Sequence, residues 1–551
     1  MPGIAWNGTI GSGFAATPVD PARATAKPAV RLLVPDNQWF TNSLDVGVQA
    51  WANDGGTLIG GIDRVRFHYE GNTVDVLAPS FQTMTRYDGT TYDCLGYWVS
   101  LRKPIGKSGN ARLYIEAIPA DATMQSRVIG PYLFSPMTNP HDFELVVDSN
   151  AQQVTGVSYQ VVSAALTYLK SQNAQNPRVT IKASDTTARH ILAGGGNDYP
   201  GGTGRCLIVA EAEVTFGFPT FVSDASNTFR PLYGGLHIRG PNITFDARNI
   251  ARIAQEQLTT SNGIWLDRVK ITDSGTSPYW RAGTRPFFMF VERQTVSWFT
   301  DCFAENINDP FSGASLARGC IAHSGYNDFA QGSFCVVYSE ALDWDSVDPW
   351  QTYVDAITID GPANATLSLS GGNETSARTF TARVGGASVG TFVVGTTETR
   401  YNTAIAPGYN AVTAGQGYFI QNVADWINSL AGWSATVINN ARRASAFSDF
   451  RGGAGATKGV AFTNVPVSNP TTFQTYFDVH TDLFKQVIGE NVQNVIWAFN
   501  TATGVRGQSF FVTEAAGAQD WAILNNTVNN VEDANLIQFA MRARAMGDSA
   551  I

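Results

Sequence analysis

Leu266-Asp267-Arg268-Val269-Lys270-Ile271 and Phe299-Thr300-Asp301-Cys302-Phe303-Ala304 read as two versions of one phrase, a short apolar strand, a polar corner and a second apolar strand. Leu316-Ala317-Arg318-Gly319-Cys320-Ile321 loosely continues the series, and Trp497–Asn500 recurs as Trp521–Asn525 at a spacing of about 24 residues. Repeats of roughly 20–30 residues with one apolar face per strand are the pattern of a solenoid. Each coil has an inner side it cannot bury alone, so coils stack and their strands pair in parallel. Asn side chains at the corners can then hydrogen-bond from coil to coil. Residues 157–172 carry Val161, Ala164, Ala165, Leu166 and Leu169 at helical spacing, a cap for the open first coil.

Composition agrees. Of 551 residues only 15% are charged, 44% are hydrophobic and 53 are glycine, which excludes a disordered chain. With Asn, Thr and Val abundant, the expected class is mostly β. A net charge of -9 gives no basic footprint, so nucleic acid is not an expected partner. No run of about 18 apolar residues exists, so membrane insertion is not expected. Residues 1–30 lack a basic segment followed by an apolar one, so no export signal is read there. Cys94, Cys206, Cys302, Cys320 and Cys335 are odd in number and widely spread, which predicts buried thiols.

The chain divides into five parts. Residues 1–40, rich in Gly, Ala and Pro, read as an extended N-terminal arm. Residues 41–152 hold five or more short strands, including a hairpin around Glu70-Gly71-Asn72 and a strand at Phe143–Asp148, and predict an immunoglobulin-like β-sandwich. Residues 153–360 are the first part of a parallel β-helix, 361–450 an inserted small α+β module, and 451–551 the last part of the β-helix with a C-terminal segment.

Residues 157–360 and 455–535, with their Asn-rich coil ends at Asn525-Asn526-Thr527-Val528-Asn529-Asn530, resemble right-handed parallel β-helix proteins of the pectate-lyase-like superfamily. Among these, the order arm, sandwich and β-helix looks most like a bacteriophage tailspike. The resemblance implies a homotrimeric virion spike that binds a bacterial surface polysaccharide, with depolymerisation as a further expectation. The arm and sandwich would meet other virion proteins. Assembly would take place in the host cytoplasm. Two alternatives stay open: a stand-alone, extracellular polysaccharide lyase or glycoside hydrolase, and a non-enzymatic head-decoration or adhesion protein.

Asp478, His480 and Asp482 alternate along one candidate strand and so share a face, where two carboxylates and an imidazole suit acid–base cleavage of a sugar chain. They equally suit a solvated polar strand face. Gln486 and Gln508 lie about one coil apart as candidate substrate contacts. In Leu342–Trp350, Trp344, Asp345 and Trp350 combine indoles with carboxylates, as glycan binding or packing requires. Asp301, Glu305, Asp309, His323 and Asp328 form a looser acidic group with Arg318 as the nearest base. Ca2+ is the one cofactor these carboxylates leave open, and no complete metal-ligand set is evident.

Overall fold

A computed structural model describes residues 27–52, 61–190, 204–217, 235–246, 252–254, 263–272, 287–289, 297–305, 307, 310–323, 329–342, 354–370, 378–394, 416–417, 420–437, 450–451, 461–476, 482–487, 493–505, 508–513 and 519–530. The repeated phrase is a coil of a parallel β-helix-like body. Its first strand joins a parallel sheet of eleven strands, its second a parallel sheet of eight. A short third sheet of Ala330–Gln331, Asp482–Val487 and Gln508–Thr513 lines another side.

Alternation along each strand separates inside from outside. In Ile264–Asp267, Ile264 and Leu266 are buried while Trp265 and Asp267 face outward. The inward residues stack in register from coil to coil, as in Ile238, Leu266, Phe299, Ala317, Val336, Trp497 and Ile523. The eight-stranded sheet answers with Phe245, Ile271, Ala304, Ala322, Ala341, Ala502 and Val528. In two coils a large residue of one row accompanies a small one of the other, Phe299 with Ala304 and Trp497 with Ala502. Each buried large side chain contributes about 1.5–3 kcal/mol.

Between the two long sheets the chain turns on one residue in the left-handed region. Arg268, Asp301, Gly319, Tyr338, Phe499 and Asn525 hold φ between 51 and 63°. Five of the six are not glycine, at a cost of about 1–2 kcal/mol each. The next residue points inward, and these form a polar ladder: the Cys320 amide donates to Ser339 Oγ (3.2 Å), the Ser339 amide to Asn500 Oδ1 (2.9 Å), and the Asn500 amide to Asn526 Oδ1 (3.0 Å). The expected Asn ladder is therefore present.

Register corrects two details of the repeat. Trp497 lies opposite Ile523, and Trp521 opposite Val495, so the last coil is 26 residues long; the slip of two keeps both indoles inside. Ala317, not Leu316, follows Phe299. That slip of one turns Leu316 outward.

The capping helix is Val162–Ser171, shorter than 157–172 because Ser158–Tyr159 pairs in parallel with the strand Glu144–Val147. That strand, read from sequence as part of the sandwich, belongs to the eleven-stranded sheet, between Ser158–Tyr159 and Arg178–Ile181. The module at 361–450 is wider than its repeat-breaking segment. Its sheets take in Val354–Asp360, Phe462–Pro466 and Thr471–Tyr476, all paired antiparallel, around the helix Ile420–Asn428. It enters after Glu340–Leu342 and returns before Asp482–Val487.

The N-terminal region forms a four-stranded and a five-stranded sheet over one core that includes Val48, Phe67, Ile115 and Phe134. Its hairpin turns at Glu70 (φ 49°) and Gly71 (φ 80°), two positive angles as a tight two-residue hairpin demands. The end of the arm is also sheet. Ala29–Leu32 pairs with Ser43–Trp51, and Gln38–Phe40 with Arg127–Pro136.

This unit packs on the outer face of the eleven-stranded sheet. Trp298, Leu316, Val337, Ile496 and Leu524 bury against Ala29, Leu33, Trp51 and Cys94. Asn494 pairs with the backbone of Val30 through both its side-chain atoms (2.5 and 2.8 Å). Arg127 bridges to Asp520. At the centre Arg318 reaches Asp301 (2.8 Å) and the Leu33 carbonyl (2.7 Å), and the Tyr92 hydroxyl donates to Asp301 (2.7 Å). Burial opposes the charge on Arg318, but Asp301, Tyr92 and Cys94 together overcome it and hold the guanidinium well above its ordinary value.

Removing Arg318 should therefore leave a buried, uncompensated carboxylate. Arg318→Met is expected to destabilise the protein by about 3–5 kcal/mol in denaturant unfolding, with part recovered in the double variant Asp301→Asn/Arg318→Met. A single-variant loss below about 1 kcal/mol would remove this pair from the account of the interface.

Candidate functional site

Where the N-terminal unit stops covering the eleven-stranded sheet, a cleft of about 350 Å³ opens. One wall is the segment Asn37–Thr41 with Met137, Pro140 and His141; the floor is the outward row of the sheet at Leu207, His237, Arg239 and Trp265. The positions follow from the pleat. In Leu236–Arg239 and Ile264–Asp267, Leu236, Ile238, Ile264 and Leu266 fill the core, so His237, Arg239, Trp265 and Asp267 must project outward. Register then sets His237 beside Trp265 and Arg239 beside Asp267.

His237 and Trp265 stack face to face, with ring centroids 3.6 Å apart and planes 7° from parallel. The Trp265 indole donates to Thr300 Oγ1 (2.8 Å), which in turn donates to Asp267 (3.2 Å), so the indole is locked in place. His237 Nε2 lies 3.8 Å from Asp267 Oδ2, beyond hydrogen-bond length, and makes no hydrogen bond among the described residues. Burial drives its pKa down to about 4 against the pull of Asp267. It is a neutral imidazole at pH 7.

Arg205 closes the back. Its guanidinium donates to the carbonyls of Asp36 (2.6 Å) and Asn37 (3.2 Å) and lies 4.2 Å over the Trp298 ring. Burial lowers its pKa to about 10 against the opposing Asp36, so it remains a cation, tying the cleft wall to the sheet. Arg239, by contrast, has a half-buried guanidinium with no hydrogen bond or ion pair among the described residues. Burial lowers its pKa, Asp267 raises it, and Arg178 and Arg268 lower it again.

The residues singled out from sequence fall elsewhere. Asp478, His480, Trp344, Asp345 and Trp350 lie outside the described residues. Asp482 opens the strand Asp482–Val487, where it faces Gln508 across the ladder, while Gln486 faces Val512. Gln486 and Gln508 share a sheet but not a rung. In the acidic group, Asp301 and Arg318 are the buried pair under the N-terminal unit, Glu305 pairs with Lys270 (3.2 Å), and Asp309 and Asp328 lie outside the described residues. Arg318 is thus a structural cation and not a proton acceptor. Among the described residues no group of three or more His, Cys, Asp or Glu side chains is placed to hold a metal ion, and no helix is long and apolar enough to cross a membrane. All five cysteines are buried thiols, as their spacing predicts.

Trp39, His237, Arg239 and Trp265 were not legible as a site. The available signal was an aromatic, an imidazole and a guanidinium at outward strand positions. Comparison with protein-family models, with curated proteins and with solved structures finds no match to this chain.

A pH test isolates the imidazole. Its folded pKa lies below the ordinary value of about 6.5, so its contribution to stability is complete above that pH and is lost as pH falls towards 4. His237→Phe keeps a ring against Trp265 and should reduce the stability lost between pH 7 and pH 4.5 by on the order of 2 kcal/mol. Equal pH slopes for variant and wild type in denaturant unfolding would assign the acid sensitivity to other groups.

Proposed function

We propose that this protein is a spike-type virion component that binds a bacterial surface polysaccharide in the cleft between its N-terminal unit and its β-helix-like body. The observation that carries this reading is the Trp265–His237 stack, which with Trp39 gives the cleft aromatic surface edged by polar groups. Sugar rings offer apolar C–H faces rimmed by hydroxyls, and aromatic planes beside fixed polar groups complement both. A rigid stack of parallel strands holds such groups at constant separation along an extended chain.

The finer reading is a right-handed β-helix of the pectate-lyase-like kind behind an immunoglobulin-like sandwich, assembled as a homotrimer. Leu77, Phe81 and Val128 are exposed apolar side chains on the N-terminal unit that subunit contacts would cover. A stable monomer by light scattering would rule the trimer out. Cleavage of the bound glycan is assigned to Asp478, His480 and Asp482, of which Asp482 opens a strand and lies across the ladder from Gln508 on the next strand.

Binding and cleavage separate in one experiment on purified host capsular polysaccharide and lipopolysaccharide. Trp265→Ala should weaken binding at least about tenfold, beyond what its lowered but still cooperative unfolding midpoint accounts for at the assay temperature. Asp482→Asn should keep binding but reduce release of new reducing or unsaturated ends by about a hundredfold or more. Wild-type affinity in Trp265→Ala would remove the cleft from the reading, and full turnover in Asp482→Asn would remove the cleavage site.

A further inference from the structure

We propose that the inserted module carries a second binding site, for a singly charged phosphodiester set between polyol groups, with Arg383 as its cation. The site lies on the outer face of the module's five-stranded sheet and is independent of the cleft and of the glycan reading.

The pleat builds it. In Ala365–Leu369 and Arg378–Val384, Leu367, Leu369, Phe380 and Ala382 fill the module core with Trp426 and Ile427. Thr366, Ser368, Thr379, Thr381 and Arg383 therefore project from the opposite face. Register sets Thr366 beside Arg383 and Ser368 beside Thr381. The neighbouring strand Phe462–Pro466 adds a bulge. Val465 lies opposite Leu367 and Phe462 opposite Leu369, so both Thr463 and Asn464 fall opposite Ser368. Asn464 takes the left-handed conformation there (φ 52°). Between these strands lies a cavity of about 530 Å³.

The cavity is rich in donors. Its lining holds threonine and serine hydroxyls, the Asn464 amide, one guanidinium and no carboxylate. Arg383 is fixed in place. Its Nη1 donates to Ser368 Oγ (3.0 Å), which accepts from the Asn464 backbone amide (2.8 Å) and donates to Asn464 Oδ1 (3.2 Å). The Nε–Nη2 edge has no hydrogen bond or ion pair among the described residues, and neither have the hydroxyls of Thr366, Thr379 and Thr381. Glu374, in the connection between the two strands, lies outside the described residues and enters the test.

These donors select the ligand. A phosphodiester carries one negative charge, which one guanidinium matches. Its two unbridged oxygens leave a tetrahedral centre in different directions, so the Nε–Nη2 edge and the flanking threonine hydroxyls can both donate to it. A planar carboxylate would use the guanidinium edge and leave the threonines to water. A phosphate monoester, with nearly two charges, calls for a second cation. A membrane surface calls for a basic cluster or an apolar wedge, and the lining has neither. The remaining hydroxyl-lined space suits the polyol arms of the diester.

The test titrates the full-length protein with the phosphodiester of two glycerols, against glycerol monophosphate, glycerate and uncharged diglycerol, reading calorimetry and the phosphorus NMR line. The diester should bind at least about tenfold more tightly than glycerate or diglycerol, and this preference should shrink as salt rises. Arg383→Gln should abolish the preference, and Arg383→Lys should keep part of it. Thr381→Val should weaken the diester about three- to tenfold and leave glycerate unchanged. Trp265→Ala should bind the diester as wild type does, which separates failure of this site from failure of the cleft. Equal binding of diester and diglycerol, tighter binding of the monophosphate or glycerate, or an unchanged preference in a folded Arg383→Gln would overturn the assignment. Binding confined to phosphatidylglycerol vesicles, which present the same diester on a membrane, would also overturn it. So would tighter diester binding in Glu374→Gln, which would make Glu374 the resident partner of Arg383.

Discussion

The Asp301–Arg318 pair joins the two halves of this molecule. Asp301 occupies a left-handed corner, so its side chain leaves the coil, and Arg318 stands on the outer face of the next strand. Both would be solvated on an isolated solenoid. Under the N-terminal unit they are buried, and Leu33 and Tyr92 supply the bonds that a buried ion pair requires. Such a pair adds little net stability compared with apolar packing of the same volume, because desolvation offsets the attraction. Its effect is positional: a shift of one strand would leave each charge without its partner. The apolar contacts of Trp298, Leu316, Val337 and Ile496 are less selective.

Other corner residues serve the same contact. The Tyr338 hydroxyl accepts from the Leu95 amide (2.9 Å), and its ring stacks on Phe499, which meets Trp51. The strain of non-glycine residues at positive φ is therefore offset by contacts that only outward-turned corner side chains can make. Coverage ends near Arg205 and Trp298. Beyond them the outward row of His237, Arg239 and Trp265 lies beside the wall at Asn37–Thr41 and forms the cleft floor.

Several features were readable from residue order. The Glu70-Gly71 hairpin, the capping helix and the Asn ladder depend on neighbours in sequence or on a repeat, and each appears. The acidic group shows the opposite case. Asp301 and Arg318, close in sequence, suggested a calcium or proton-transfer site, yet their use is decided by Tyr92 and Leu33, more than 200 residues away. The strand Glu144–Val147 has the same alternation whether it joins a sandwich or a solenoid, and only its parallel partner Arg178–Ile181 distinguishes them. Leu316 misled for a related reason, since a slip of one residue exchanges inside for outside and both sides are apolar here.

By itself the sequence determined a mostly β chain, a repeating coil with an apolar inside, a polar corner ladder and an interrupting module, because periodic burial is written in consecutive residues. The tertiary structure alone decided which outward residues would be buried, which would line a cleft and which charges would find partners. Those outcomes follow from docking a second unit on the outer face of the eleven-stranded sheet. Strand periodicity says that a side chain points out, but not what waits there.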